Sequence, residues 1–220
     1  MKTVFITGTD TDAGKTFTSV QLIHWWQNQG LSVAVSKPVA AGGTLNPAGR
    51  LENEDALALM AATQLETTYQ EVNPYCFNAP ASPHISAAQD NAQVSLAELQ
   101  QHHQDVIATR GADICLVEGA GGWMVPINDS ELLSALPITM RWPVILVVGM
   151  KLGCLNHALL TAAQIKAQGG HLVGWIANSP LPEMEFLAEN IDTLASLIDA
   201  PLIGTIGYQQ TEMTNFDLVL

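Results

Sequence analysis

An apolar run, a polar loop containing glycines and an amphipathic segment follow one another directly at the start of the chain. Residues 3–6 are apolar and indicate a buried strand, and residues 17–29 have a helical pattern that ends at Gly30. The loop between them, residues 7–16, closes with Gly14-Lys15-Thr16. Strand, glycine-bounded loop and helix in this order predict a loop that binds phosphate groups.

The physical basis is the unpaired backbone N–H groups at a helix N-terminus, which attract phosphate oxygens. Gly14 lets the backbone approach the phosphates, Lys15 would neutralise the β- and γ-phosphates, and Thr16 would offer its hydroxyl to magnesium. The match is not strict, because Thr9 stands where the usual pattern has glycine and Gly8 comes one position earlier. The alternative is an ordinary acidic turn, but the flanking strand and helix favour the phosphate loop.

Composition limits the classes of protein to which the chain can belong. Its 220 residues, 48% of them hydrophobic, predict one domain spanning residues 1–220. The net charge of −13 argues against binding to nucleic acid or to an anionic membrane, both of which require clustered basic residues. The longest apolar run, residues 143–150, is far below the ~20 residues that span a bilayer.

The expected location is the cytoplasm. No charged-then-apolar leader precedes the first strand pattern. The three cysteines, Cys76, Cys115 and Cys154, are odd in number and lack metal-ligand spacing, so reduced intracellular thiols are the simplest interpretation.

Apolar runs that resemble strands alternate with helical patterns along the chain. The runs mostly lack polar alternation, as expected for parallel strands covered on both faces. This alternation predicts a doubly wound α/β fold, a mostly parallel sheet with helices on both faces, in which ligands bind at the carboxyl ends of the strands. The predicted strands are residues 3–6, 32–36, 114–117, 144–148, 172–177 and 202–206.

Two later helices and one irregular segment are also predicted. Residues 156–168 form a helix stopped by Gly169-Gly170, and Leu187 begins an apolar helical face in a helix that we expect Pro182 to open. Residues 63–92 are the least periodic and predict an irregular excursion on the surface. His102 and His103 lie in a polar helical stretch, where solvated side chains are expected.

Three charged residues follow predicted strands or precede a helix. Glu118 ends an apolar strand and is followed by Gly119-Ala120-Gly121-Gly122; an acid at this position can help to hold magnesium. Lys37 ends the second strand and would point into the same crevice as the phosphate loop, although most lysines at strand ends are simply solvated. Asp55 has acidic neighbours before a helical run, where capping is the usual reason, and spacing alone does not single it out.

Taken together, these motifs resemble the dethiobiotin synthetase family, the ATP-dependent ring-closing ligases of biotin synthesis, over essentially the whole chain. The loop from Gly8 to Thr16 has the family's own spacing, which accounts for Thr9. The further matching motifs are Lys37-Pro38-Val39-Ala40, Asp55-Ala56-Leu57, Asn73-Pro74-Tyr75, Ser82-Pro83-His84, Val117-Glu118-Gly119-Ala120-Gly121-Gly122, Pro143-Val144-Ile145-Leu146-Val147-Val148, Lys151-Leu152-Gly153-Cys154-Leu155-Asn156-His157 and Gly174-Trp175-Ile176-Ala177-Asn178.

The resemblance implies a P-loop NTPase-like fold and roles for individual residues. Lys15 and Lys37 would be catalytic, and Thr16, Asp55 and Glu118 would bind magnesium directly or through water. ATP would contact Asp12, Ala13, Gly14, Lys15, Thr16, Phe17, Asp55, Glu118, Gly119, Ala120, Gly121, Asn178, Ser179, Ile206, Gly207 and Tyr208, with Asn178 reading the adenine. The diamine and its carbamate would contact Thr11, Lys37 and Ala41, and Gly153, Cys154, Leu155 and Asn156 of a second subunit would receive the far carboxylate.

The implied reaction joins 7,8-diaminononanoate and carbon dioxide into a ureido ring at the expense of ATP, in a homodimer whose sites lie at the subunit interface. Ala41 departs from the pattern, because the family often has a serine there that contacts substrate. The tail after Tyr208 also matches poorly.

Two other functions remain open on sequence grounds. One is a related P-loop ligase or amidotransferase that activates a carboxylate on another small substrate. The other is a non-enzymatic ATPase switch; such proteins carry a lysine four residues before Gly14, where this chain has Asp10.

Overall fold

A six-stranded parallel sheet forms the centre of the molecule. The computed structural model describes residues 1–182, 184–210 and 213–214. Ten strands are assigned in this part of the chain: β1 (Lys2–Gly8), β2 (Val33–Ser36), β3 (Val39–Ala41), β4 (Thr44–Leu45), β5 (Leu51–Glu52), β6 (Tyr75–Phe77), β7 (Ile114–Glu118), β8 (Pro143–Gly149), β9 (His171–Asn178) and β10 (Leu202–Ile206). The central sheet has the order β10-β9-β8-β1-β7-β2, and every pairing in it is parallel.

Eight α-helices connect the strands of the described residues. They are α1 (Lys15–Asn28), α2 (Glu54–Ala62), α3 (Tyr69–Val72), α4 (Pro83–Gln89), α5 (Leu96–His102), α6 (Ala135–Thr139), α7 (Cys154–Ala167) and α8 (Leu187–Leu197). A π-helical stretch, His103–Ile107, and a 3₁₀ turn, Ala108–Arg110, extend α5 toward β7.

The six predicted strands are confirmed, each within three residues at either end. They read as continuous apolar runs because both faces of the sheet are covered. Successive side chains of β1 show this: Val4 and Ile6 pack with α1 and α2 on one face, and Phe5 packs on the other face in the cluster that holds Leu99 of α5. The second face continues over β8 and β9, where α7 and α8 pack. Helices therefore cover both faces, as expected for a doubly wound sheet.

The position of β1 determines where a ligand can bind. This strand lies between β7 and β8, so the loops after all three strands open at the same edge of the sheet. Open α/β sheets bind ligands in the crevice at the carboxyl ends of the strands, where the direction of winding changes. The phosphate loop after β1 therefore lies beside the glycine-rich segment after β7.

Three element predictions were wrong in detail. Residues 63–92 are more ordered than predicted: they contain α3, β6 and α4, and they bury side chains such as Val72 and Phe77. The helix predicted from residue 156 begins at Cys154, because Gly153 adopts a left-handed conformation (φ 96°) and the buried Cys154 follows it. Pro182 does not open α8, which begins at Leu187 after a left-handed Phe186 (φ 57°).

The prediction of solvated histidines was wrong for His103. Its side chain is buried, and its ring packs on Trp142 with the centroids 4.4 Å apart. The π-helical turn at His103 shifts this residue off the face that a regular α-helix would give it. The polar residues around it therefore predicted exposure wrongly. The three cysteines are free thiols, as predicted. None of the helices in the described part of the chain could span a bilayer.

Candidate active site

The loop between β1 and α1 has the backbone shape of an anion cradle. Asp12 (φ 60°) and Gly14 (φ 88°) both adopt left-handed conformations, and Gly14 is the residue before the first turn of α1. No side chain caps α1, so the N–H groups of its first turn keep their capacity to bind phosphate oxygens. The loop predicted from sequence is therefore present with its helix and strand.

Lys15 extends from the start of α1 beneath this loop. Its side chain is buried, and Nζ donates a hydrogen bond to the backbone oxygen of Asp10 at 3.3 Å. Burial, reinforced by the positive charge of Lys37, lowers the pKa of Lys15 to about 8. A phosphate beside Nζ would favour the charged form, so this lysine is suited to an anionic ligand.

A hydroxyl and two carboxylates from three elements converge next to the loop. Thr16 Oγ1 of α1 donates to Asp55 Oδ1 of α2 at 2.7 Å and lies 2.8 Å from Glu118 Oε1 at the end of β7. Glu118 is fully buried. The structure therefore selects Asp55 from its acidic neighbours, which sequence spacing could not do.

Lys37 completes the cluster from the segment after β2. Its Nζ lies 2.7 Å from Glu118 Oε1, 2.9 Å from Asp55 Oδ2 and 3.1 Å from the backbone oxygen of Gly119. Burial would lower the pKa of Lys37, but Glu118 and Asp55 outweigh it and raise that pKa. Burial would likewise raise the pKa of Asp55, but Lys37 outweighs it and the pKa is lowered. Lysine and aspartate are therefore charged at neutral pH.

A cavity of about 640 Å³ opens onto both lysines. Its lining joins the predicted nucleotide and substrate sides: Thr11, Asp12, Gly14, Lys15, Thr16, Phe17, Lys37, Ala40, Ala41, Asn53, Asp55, Pro80, Ala81, Ser82, Ala120, Gly121, Gly122 and Val125. Two anionic groups could therefore meet here between two cationic side chains. Ala41 lines this cavity, which is consistent with its predicted place on the substrate side.

Asn178, at the end of β9, packs directly over the phosphate loop. Its Nδ2 donates to the backbone oxygen of Ala13 at 2.9 Å, and a Cβ on Gly14 would lie only 2.0 Å from that Nδ2. Residue 14 must therefore be glycine both for its left-handed φ and for this contact. The next residue, Ser179, donates its N–H to Ile206 at 2.8 Å, which ties the end of β9 to the segment leading to Gly207 and Tyr208.

The segment Gly153 to Asn156 lies away from this cavity in the same chain. It starts α7 at the same edge of the sheet, after β8, and is absent from the residues that line the cavity. Gly153 and Asn156 are exposed, Leu155 is partly buried and Cys154 is buried. Lys151, just before it, lies 3.5 Å from Asp10 of the phosphate loop.

Sequence reasoning missed Ser19 and Asn53. Ser19 Oγ donates to Glu118 Oε2 at 2.7 Å, and both side chains are buried, so Ser19 fixes the second oxygen of that carboxylate. Asn53 caps α2 through Oδ1, which accepts from the N–H groups of Asp55 and Ala56. An asparagine directly before acidic helix residues is a recognised N-cap signal and could have identified Asn53. Ser19 carries no comparable signal.

Known proteins match this chain over most of its length. A family model described as an AAA domain matches residues 2–214. An ATP-dependent dethiobiotin synthetase BioD from Cellvibrio japonicus is 49% identical over 205 residues, which cover 93% of this chain and 89% of that protein. Its counterpart from Vibrio vulnificus is 46% identical over 212 residues, which cover 94% of this chain and 90% of that protein. The chain belongs to the ATP-dependent dethiobiotin synthetase family.

Solved structures outside this synthetase family share the fold. The MinC:MinD cell division protein complex of Aquifex aeolicus gives a TM-score of 0.58 at 11% identity, covering 95% of this chain and 82% of that chain. The signal recognition particle receptor FtsY of Elizabethkingia anophelis gives a TM-score of 0.56 at 16% identity, covering 100% of this chain and 62% of that chain. At these identities the likeness concerns the fold alone, and it confirms the P-loop NTPase-like, doubly wound architecture of this chain.

The oxygen donors beside the phosphate loop are of the kind that suits magnesium. Thr16, Asp55 and Glu118 offer a hydroxyl and carboxylate oxygens, the hard ligands that Mg²⁺ prefers. The ammonium of Lys37 already lies where these oxygens converge, which shows that the cluster attracts positive charge. No group of three or more His, Cys, Asp or Glu side chains in the described part of the chain could hold a metal.

Proposed function

We propose that this chain is a magnesium-dependent dethiobiotin synthetase of biotin biosynthesis. It would convert 7,8-diaminononanoate, carbon dioxide and ATP into dethiobiotin, ADP and phosphate. The observation that carries the proposal is the contact of Lys37 with Asp55 and Glu118, directly beside Thr16 and the phosphate loop. This arrangement brings a second cation to the point where a phosphoryl group would be transferred, and family membership supplies the substrates.

The nucleotide would bind through the phosphate loop and the ends of β9 and β10. Residues 12–17 would surround the phosphates, with Lys15 at the β- and γ-phosphates. Asn178 would read the adenine, and Ser179 with residues 206–208 would pass along the base. The contact of Asn178 with Ala13 supports this proposal, because it places the amide beside the loop that holds the phosphates.

Thr16, Asp55 and Glu118 would hold the magnesium ion. When bound, it would offset charge on the phosphate oxygens. Ser19 supports this role by fixing Glu118 Oε2, so that Oε1 faces Thr16. The glycines at 119 and 121, with Ala120, would let the backbone approach the phosphates closely.

The substrate side of the cavity would carry the diamine between Thr11, Lys37 and Ala41. One amine takes up carbon dioxide and loses a proton, giving a carbamate. A carbamate oxygen then attacks the γ-phosphorus, and the bond to the ADP oxygen breaks. The second amine attacks the carbamoyl carbon and loses a proton, the bond from that carbon to the phosphate oxygen breaks, and the ureido ring closes.

The contribution of the protein to these steps is charge compensation and positioning. A carbamate and a triphosphate repel each other, and Lys15 and Lys37 would offset that repulsion as charge develops on the transferring group. The fixed hydrogen bonds of Lys37 Nζ hold its charge in place before substrate arrives. No side chain needs to act as a nucleophile, because the substrate carries both nucleophiles and the site holds them together.

The far carboxylate of the substrate would be received by Gly153 to Asn156 of a second subunit. The start of α7 suits an anion, because no side chain caps it. Since this segment does not line the cavity of its own chain, a homodimer would bring it to the partner's cavity. We further propose a cytoplasmic enzyme made of one ligase domain.

Two alternatives keep the same loop but change the chemistry. A related ligase or amidotransferase would activate a carboxylate substrate, and an ATPase switch would need no small substrate. Asp10 argues against the switch, because such proteins carry a lysine at that position, four residues before Gly14.

The deciding assay measures ADP release by the purified chain with ATP, magnesium and bicarbonate. We expect release to depend on the added diamine and to be accompanied by one ring-closed product, identified by mass. The Lys15→Ala variant, assayed in parallel, controls for contaminating ATPases. Release that requires a carboxylate and glutamine would favour the amidotransferase, and release independent of any small substrate would favour the switch.

A further inference from the structure

The backbone of Lys37 is held by a segment that lies outside the cavity lining. The pairing of β2 with β7 ends at Ser36, so the carbonyl of Lys37 lies just beyond the paired part of the sheet. Asn73 Nδ2 donates to that carbonyl at 2.5 Å, and Lys37 donates its own N–H to the carbonyl of Val72 at 2.9 Å. Both backbone polar groups of Lys37 therefore depend on residues 72–73.

Asn73 is in turn oriented by a tyrosine. The buried Nδ2 group of Asn73 also donates to the carbonyl of Tyr75 at 3.1 Å, so its Oδ1 must accept. The donor is the hydroxyl of Tyr69 at 2.6 Å. The same hydroxyl oxygen accepts the backbone N–H of Asn53 at 2.7 Å. Since an N–H can only donate, the single hydroxyl proton goes to Asn73. The thiol of Cys76 also bonds to this hydroxyl.

Asn53 links the Tyr69 hydroxyl to Asp55. Its Oδ1 accepts from the N–H of Asp55 at 3.1 Å, and its Nδ2 donates to the carbonyl of Ala41 at 3.3 Å. The hydroxyl of Tyr69 thus joins two branches: one holds the backbone of Lys37, and the other holds the start of α2 and the end of β3.

We propose that Tyr69 is a positioning residue for the ring-closing reaction. Its hydroxyl sets the distance between Lys37 and Asp55 through Asn73 and Asn53. The inference rests on the proposed function and adds to it a residue with no counterpart among the predicted site residues. Hydrogen bonds are needed to hold Asp55 in position, because 43% of its side chain is exposed and packing alone does not fix it.

Loss of the hydrogen bonds made by the Tyr69 hydroxyl should lower kcat. Misplacing a charged group by about 1 Å can slow a reaction by roughly 10²-fold, and a shift shared between two groups should cost less. ATP affinity should change little, because Tyr69 reaches the phosphate loop only indirectly, through the contact of Asp55 with Thr16, while Lys15 and Asn178 make no contact with Tyr69 or Asn73 in the described hydrogen bonds. A positioning role therefore predicts a change in kcat without a change in ATP affinity.

The test compares Tyr69→Phe with Tyr75→Phe, two variants that each remove one hydroxyl from neighbouring tyrosines. The Tyr75 hydroxyl bonds to Glu98 instead, and so serves as the control. We expect Tyr69→Phe to lower kcat about tenfold with the Kd for ATP within about twofold of the parent, and Tyr75→Phe to leave both unchanged. A Tyr69→Phe enzyme with normal kcat, or with a loss of kcat that Tyr75→Phe matches, would overturn the proposal.

A double variant separates positioning from general loss of stability. Tyr69→Phe and Asn73→Ser interrupt the same chain of hydrogen bonds, so their effects on kcat should fall well short of additive. Additive effects would mean that the two residues act independently, against the proposal.

Crystal structures of the parent and of Tyr69→Phe supply a readout that needs no turnover. We expect Lys37 Nζ in the variant to lose its contact with Asp55 or with Glu118, and retention of both contacts would overturn the inference. Parent enzyme without diamine-dependent ADP release would instead refute the proposed function, while these structures would still decide whether Tyr69 positions Lys37.

Discussion

Lys37 Nζ lies 2.7 Å from Glu118 Oε1, and both side chains are buried beside the phosphate loop. The two residues are 81 positions apart in the chain and meet because β2 and β7 are neighbours in the sheet. A charged lysine side chain is costly to bury without compensating charge, and for Lys37 that charge belongs to groups suited to magnesium. Binding of magnesium and substrate would therefore compete with, and redirect, the interactions of Lys37.

Removal of either active-site lysine should abolish most of the activity, for different reasons. Lys37→Ala should lower kcat by 10²-fold or more with little change in ATP affinity, since it removes a preorganised charge from the transferring group. Lys15→Ala should weaken ATP binding as well. Equilibrium ATP binding and steady-state kinetics measure both effects, and Lys166→Ala, which removes an exposed lysine paired with Asp199, is the control. Near-normal turnover by Lys37→Ala would refute its assigned role.

Neutralising either carboxylate should raise the magnesium requirement. Asp55→Asn and Glu118→Gln keep the size of the side chain but remove an anionic ligand, so the magnesium concentration for half-maximal rate should rise sharply in both. Glu54→Gln removes an exposed charge from the same first turn of α2 and controls for the helix dipole. If Asp55→Asn behaved like Glu54→Gln, Asp55 would be an ordinary helix-terminal acid.

The buried His103 should make stability depend on pH in the mildly acidic range. Burial first, and His102 second, lower the pKa of His103 from 6.5 to about 4. Between these values the unfolded chain binds more protons than the folded one, so the free energy of unfolding should fall as pH decreases from 6.5 toward 4. The loss should be on the order of 2–3 kcal/mol.

Denaturant titrations across this pH range measure the free energy of unfolding of the parent and of two histidine variants. The difference between parent and variant gives the contribution of His103. His103→Phe keeps a ring against Trp142 and should lack that part of the pH dependence, while His171→Gln, which changes an exposed histidine, should retain it. Identical pH profiles for the parent and His103→Phe would show that His103 contributes nothing.

Shared active sites predict that two inactive proteins restore each other. Cys154 is buried, so a charge there would disturb α7, and the exposed Asn156 is the better position for a repelling carboxylate. Lys37→Ala and Asn156→Glu chains, unfolded together and refolded, should regain about a quarter of parental activity, because half of the dimers are mixed and each mixed dimer has one intact site. Mixed dimers without activity would mean that each site is built within one chain.

The sheet was predictable because its strands are fully buried. Runs such as Val144–Val148 have one dominant physical cause, the covering of both faces, and this cause leaves a continuous apolar pattern. Ends of helices were less predictable because tertiary contacts decide them: α7 starts two residues early where Cys154 enters the core, and α8 starts after Phe186 and not at Pro182.

Part of the site could also be predicted, because some of its residues adjoin these apolar strands. Lys15 and Thr16 belong to one local motif, and Lys37 and Glu118 each end an apolar run, so the geometry of parallel strands predicted that they would meet. Asn73 lies in a motif that matches the family, but neither Asn73 nor Tyr69 was predicted as a site residue. Their roles arise from hydrogen bonds that reach residues distant in sequence, from Asn73 to Lys37 and from Asn53 to Tyr69, and periodicity does not reveal such bonds.

The most direct test of the proposed reaction follows an oxygen atom from carbon dioxide. If a carbamate oxygen attacks the γ-phosphorus and the second amine then displaces phosphate from carbon, that oxygen leaves with the phosphate. Turnover with ¹⁸O-labelled bicarbonate, ATP, magnesium and the diamine should therefore release inorganic phosphate containing one ¹⁸O atom, measured by mass spectrometry at early times. Phosphate without label, formed together with ADP, would contradict the carbamate mechanism and the function proposed for Lys37.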